Sequence, residues 1–96
     1  MLEKVKRALR LDDDELDDEV LDLIEACKAD LMLCGVINIS DEDPLIIQAI
    51  KTYGRANFDV TNPDHEKYIR SYESLKSHLS LSDEYTVVNN KWGYQD

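Results

Sequence analysis

Glycine, cysteine and long apolar runs are scarce in this chain, and each scarcity closes off a class of protein. Only Gly35, Gly54 and Gly93 occur in the 96 residues, which leaves no glycine-rich phosphate loop and no serine-centred nucleophile elbow. The two cysteines, Cys27 and Cys34, lie seven positions apart in what reads as one helix. Helical rise then separates them by about 10 Å, beyond the roughly 7 Å that a disulfide spans. They also lack the C-x₂₋₄-C spacing of a zinc site, and His65 and His78 have no cysteine close in sequence. Two thiols on an apolar helical face are expected as small core residues, and a reducing cytoplasm as the compartment. No stretch approaches the roughly 18 apolar residues of a membrane span, and the first residues lack the apolar region of a signal peptide. A soluble chain with no membrane partner is expected.

Positive charge is scarce too. Eleven Lys and Arg stand against 21 Asp and Glu, a formal net charge of −10. Nucleic acid and anionic membranes would both repel such a molecule, which leaves protein partners as the expected class. The imbalance is uneven. Lys4, Lys6, Arg7 and Arg10 make the first ten residues net positive, and Asp12, Asp13, Asp14, Glu15, Asp17, Asp18 and Glu19 follow directly. A calcium loop beginning at Asp12 fails, because Leu16 takes the fifth place, Asp17 the glycine place and Leu23 the place of the bidentate glutamate. Two readings of the acidic block stay open: a solvated helix start, or one half of a head-to-tail contact in which Lys4, Arg7 and Arg10 of one copy meet Asp13, Asp14 and Asp17 of the next. General acid–base catalysis needs carboxylates in a dry concave pocket, for which a bundle of this size has little space. No catalytic, cofactor or metal site is expected.

What the chain does contain is helical periodicity with clear punctuation. Leu2, Val5 and Leu9 give a short amphipathic helix over 1–10, its basic residues on the outer face. Leu16, Val20, Leu23, Ile24, Cys27 and Leu31 share one face of a long helix from about Glu15 to Leu33 or Cys34. One of Asp12–Asp14 is expected to cap it, and Gly35 to stop it. A polar cap candidate before Pro44 opens a third helix to Phe58, apolar on more than one side and so central. Gly54 within it costs about 1 kcal/mol relative to Ala, which points to close approach of another helix. Asn62-Pro63 opens a fourth helix to Leu79, with Tyr68, Tyr72, Leu75 and Leu79 in one stripe. The fold class is therefore all-α: a small bundle of about four helices over 1–80, with an irregular or extended C-terminal tail over 81–96 that is a candidate assembly arm. Val87, Val88, Trp92 and Tyr94 give that tail the composition of a binding hot spot; the other reading folds it back over the bundle.

The order of these signals resembles a known family. Leu9-Arg10-Leu11-Asp12-Asp13-Asp14 closes a short helix, Leu-Asp-Leu-Ile-Glu-Ala-Cys-Lys-Ala-Asp at Leu21–Asp30 runs along a long one, and Asp-Pro-Leu-Ile-Ile-Gln-Ala-Ile-Lys-Thr-Tyr at Asp43–Tyr53 opens the next. This combination resembles the head–tail connector (DNA-packaging adaptor) proteins of long-tailed bacteriophages and prophages over about residues 2–80. The resemblance implies a structural, non-enzymatic homo-oligomer without cofactor, assembled in the host bacterial cytoplasm into a ring, generally twelvefold, beneath the portal protein. Such a ring sits at the virion head–tail interface. It extends the channel through which packaged DNA passes without sequence-specific binding, and it offers a docking surface to the next connector or tail-completion protein. The contrasting expectation is a small acidic regulatory module acting on a host or phage protein.

Overall fold

The computed structural model describes residues 1–88. Five helices follow in chain order: α1 (Leu2–Ala8), α2 (Asp17–Leu33), α3 (Pro44–Phe58), α4 (His65–Ser80) and a single turn, α5 (Asp83–Thr86). Among the described residues there is no strand. The all-α bundle is as expected, and the stretch Asp83–Thr86, within the segment expected to be irregular or extended, forms a helical turn.

The central element is α3, which packs against α1, α2 and α4. Its sequence explains the position. Ile46, Ala49, Ile50 and Ala56 are buried, and Thr52 is buried with its hydroxyl donating to the Gln48 carbonyl at 2.8 Å, a local bond that spares the polar atom a missing partner. The core closes around Val20, Ile24, Cys27 and Leu31 of α2, Tyr72 and Leu79 of α4, Val5 of α1, and Val36. Asp43 starts α3 by accepting from the Leu45 and Ile46 amides at 2.8 and 3.4 Å, with Pro44 at the first position.

Two helices end in the same way. After α2, Gly35 takes a left-handed conformation at φ +89°, and the Val36 amide returns to the Leu31 carbonyl at 3.0 Å. Val36 and Leu31 are both fully buried, the apolar contact that accompanies this C-terminal motif. After α1, the Leu11 amide returns to the Lys6 carbonyl at 2.9 Å, and the residue in the left-handed position is Arg10, at φ 60°. A Cβ makes that conformation costly, by roughly 1–2 kcal/mol.

Several local expectations are corrected. None of Asp12–Asp14 caps α2: its N-cap is Leu16, and Asp13 accepts instead from the Glu15 amide two residues on. The fourth helix starts at His65 rather than Pro63, because Asn62 accepts from the Asp64 amide at 2.7 Å and holds a turn first. Cys34 is exposed, not on the apolar face, whereas Cys27 is buried. Lys6, expected on the outer face of the first helix, is 5% exposed.

Residues 83–88 are tied to the bundle. Tyr85 is buried and its hydroxyl donates to the Asp43 carboxylate, 2.9 Å from Oδ2. Burial and that carboxylate push the Tyr85 phenol up to about 12. Its carbonyl accepts from the Ile37 and Asn38 amides at 2.8 and 3.1 Å. The Asn38 side-chain amide donates to the Glu84 and Val87 carbonyls, both at 2.8 Å.

Two sets of substitutions test this packing by thermal unfolding. Tyr85→Ala is expected to destabilise the bundle by about 3 kcal/mol, and Tyr85→Phe, which keeps the ring but loses the bond to Asp43, by about 1 kcal/mol. At Gly54 a Cβ would stand 3.4 Å from Val5 Cγ1 and 3.9 Å from the Leu9 methyls, an ordinary contact. Gly54→Ala is therefore expected to melt at or above the wild-type midpoint, given the helix preference of Ala. Gly54→Leu has no such space and is expected to lose about 1–3 kcal/mol.

Candidate interaction surfaces

The charged N-terminal region is partly closed on itself. Leu2, Lys6 and Leu9 fall at i, i+4 and i+7, so the helix turns Lys6 inward with its apolar neighbours. Its ammonium lies 2.8 Å from Asp17 Oδ1 and 3.1 Å from Asp14 Oδ1. Bonds to Asp17 first and Asp14 second hold the Lys6 pKa well above that of an ordinary lysine. Two acids of the block, Asp14 and Asp17, are thus paired within the chain. Lys4, Arg7, Arg10 and Asp13 remain exposed, and among the described residues none of these four joins an ion pair.

A second polar cluster joins α2 to α4. The Tyr72 hydroxyl donates to Asp30 Oδ2 at 2.7 Å, and Lys76 Nζ donates to the same oxygen at 3.0 Å and to Glu73 at 3.1 Å. The ammonium stands 5.3 Å from the centroid of the Tyr72 ring, and Tyr53 meets that ring edge-on at 5.0 Å. Burial raises the Asp30 pKa, but the bonds from Tyr72 and Lys76 outweigh it and hold the carboxyl below the usual range. Burial also opposes the charge on Lys76, yet Asp30 and Glu73 prevail and raise its pKa. The Cys27 thiol, 3.8 Å from the Tyr72 hydroxyl, is pushed by burial up to about 11. It is protonated at neutral pH and unsuited to nucleophilic chemistry. The cluster is a structural tie between two helices.

A concavity lies elsewhere, where the ends of α1 and α3 meet the turn before α4. It encloses about 540 Å³, with Leu9 and Phe58 on its apolar side and Arg10, Arg55, Asn62 and Tyr68 on its polar side. The Arg55 guanidinium sits 5.8 Å from the Tyr68 ring centroid, and its Nε donates to the Ala8 carbonyl at 3.5 Å. Asp59 also lines the cleft, but its carboxylate accepts from the Thr61 hydroxyl and amide at 2.6 and 3.0 Å. Those bonds hold the Asp59 pKa below the usual carboxylate range. Sequence reasoning missed Arg55, and it assigned Tyr68 to the core stripe although Tyr68 is only half-buried. The available signal was an arginine inside a helix that is otherwise apolar on more than one side.

Toward the opposite end of the bundle several apolar side chains are exposed among polar ones. Leu33 at the end of α2 is 86% exposed, Leu81 after α4 is 81% exposed, and Ile37, Val87 and Val88 are also open to solvent. Of the expected tail contacts, Val87 and Val88 lie on this surface, whereas Trp92 and Tyr94 fall outside the described residues. His65, on α4, is half-buried with its Nδ1 unpartnered, and His78 is exposed. Among the described residues no helix is long and apolar enough to cross a membrane.

The Asp30 cluster generates a pH test. Its carboxyl is depressed in the folded state, so its contribution is present above the unfolded-state value near 3.9 and is lost as pH falls through the lower folded value. Asp30→Asn is expected to cost about 1–2 kcal/mol at pH 7, in denaturant unfolding. The difference between the two proteins should shrink below about pH 4.

Comparison with known proteins gives one finding. The family model described as phage connector protein matches residues 1–86. No curated protein and no solved structure matches the chain.

Proposed function

The chain belongs to the phage connector protein family, and on that premise we propose that it works as a ring beneath the portal, twelvefold when assembled on that template. The ring extends the DNA channel at the virion head–tail interface and presents a docking surface to the next connector or tail-completion protein. Family membership is the observation that carries this reading, since it spans α1 to α5 and the family is one of structural proteins.

The surface chemistry supports it. A cyclic ring needs two unlike patches that meet between neighbours. Lys4, Arg7 and Arg10 form one, and the acids that Lys6 leaves exposed, with Asp13 foremost, form the other. In this reading Asp14 and Asp17 act by shaping the acidic patch while they hold Lys6. The remaining acids turn toward the lumen, where a net charge of −10 per subunit keeps phosphate from adhering. The exposed apolar residues Val87 and Val88 face the next protein of the joint, and Trp92 and Tyr94, which lie outside the described residues, are proposed from the sequence as further contacts. Residues 1–80 are then the connector body and residues 81–96 the assembly arm, anchored to the body by Tyr85.

The test is assembly on purified portal, followed by light scattering and negative-stain microscopy. Discrete rings on the portal are expected. A chain that stays monomeric under all conditions and never binds portal overturns the reading in favour of a regulatory module. Lys4→Glu with Arg7→Glu is expected to impair assembly more at about 0.02 M salt than at about 0.5 M, because exposed charges are screened beyond a few ångströms at the higher value. Equal assembly at low salt removes the electrostatic patch from the account.

A further inference from the structure

We propose that the cleft between the ends of α1 and α3 and the turn before α4 is a carboxylate socket, filled by the acidic segment Asp12–Glu19 of a second copy of this chain. This deepens the ring reading and rests on it.

Three observations converge on the cleft. First, Arg10 and Arg55 both line it, and among the described residues neither lies in an ion pair. In a chain with 21 acids and 11 basic side chains, two arginines in one cleft against the single carboxylate of Asp59 mark a site with room for a further anion. Second, the one acid at the wall, Asp59, has its Oδ1 engaged by the Thr61 hydroxyl at 2.6 Å and amide at 3.0 Å, and among the described residues it forms no ion pair with either arginine. Third, both arginines are placed at some expense of freedom. Tyr68 and the Ala8 carbonyl hold the Arg55 guanidinium from its ring face and its Nε. No side chain among the described residues accepts from its two terminal nitrogens, the pair that grips a carboxylate in bidentate fashion. Arg10 occupies the left-handed position at φ 60°, which glycine fills at the end of α2. A glycine there would relieve strain but remove a cation from the cleft.

Charge complementarity names the occupant. Lys6 pairs with Asp14 and Asp17 only, and among the described residues Asp12, Asp13, Glu15, Asp18 and Glu19 are exposed and join no ion pair. DNA phosphate is disfavoured, since the whole chain is strongly acidic and would repel a polyanion at long range. Two copies also repel at long range, but that repulsion is screened beyond about 10 Å at 0.1 M salt, while paired charges inside a cleft are screened far less.

The experiment titrates the isotope-labelled full chain, at about 0.1 M salt, with a synthetic peptide carrying the sequence of Leu11–Val20. Resonances of Arg55, Asn62 and Tyr68 are expected to shift, and a peptide with Asn and Gln in place of the acids to leave them unmoved. Arg55→Gln, with an unchanged circular dichroism spectrum, is expected to weaken binding on the order of tenfold. Shifts confined to other surfaces, equal binding of the neutral peptide, unaltered binding by Arg55→Gln, or displacement of the peptide by a short DNA duplex each overturn the proposal. Rings on the portal with no peptide binding would sink the socket alone. Peptide binding without rings would sink the ring alone.

Discussion

The Lys6 ammonium, held between Asp14 and Asp17, governs the arrangement of the first twenty residues. An ammonium this buried needs carboxylate partners, and they come from the loop before α2 and from its first residue. That tie seats α1 across α2 and α3, with Val5 and Leu9 against Gly54. It also leaves the end of α1 standing beside the end of α3, which opens the cleft. The clamp engages Asp17, and the exposed Asp14 from its outer side, within the monomer, and so takes up part of the charge asymmetry that the sequence displays. What remains outside is a smaller set of exposed charges, Lys4, Arg7, Arg10 and Asp13 among them, from which the proposed contact between copies is built.

Most of the helical plan was legible in the residues. Pro44 after Asp43, Gly35 after Cys34, and the stripe from Tyr72 to Leu79 each have a local physical meaning that the packed structure keeps. Local errors arose where a polar side chain chose among several nearby amides. Asn62 closed a turn rather than capping a helix, and Asp13 did the same, so both following helices began later than their punctuation suggested. Lys6 was misplaced for a different reason. Its spacing with Leu2 and Leu9 puts it on an inward face, although its charge alone suggests the outer one.

The cleft was the least legible part, because it depends on residues far apart in the chain. Arg10, Arg55 and Tyr68 come from three separate helical ends, and nothing in a linear reading brings them together. Tyr85 was opaque in the same way. A lone aromatic in an aperiodic run has no pattern to announce its burial, and its partner Asp43 lies 42 positions earlier. Long-range pairings of this kind are carried by the fold and only afterwards become readable in the sequence.

Asp43 and Asn38 act together at the other end of the molecule. Asp43 caps α3 and receives the Tyr85 hydroxyl, while Asn38 grips the Glu84 and Val87 carbonyls. A pull on the chain beyond Val88 therefore does not simply peel residues from the end of α4. Tension passes sideways into the loop between α2 and α3, and from there into the most buried helix of the bundle. The C-terminal segment is moored like a rope made fast at two cleats.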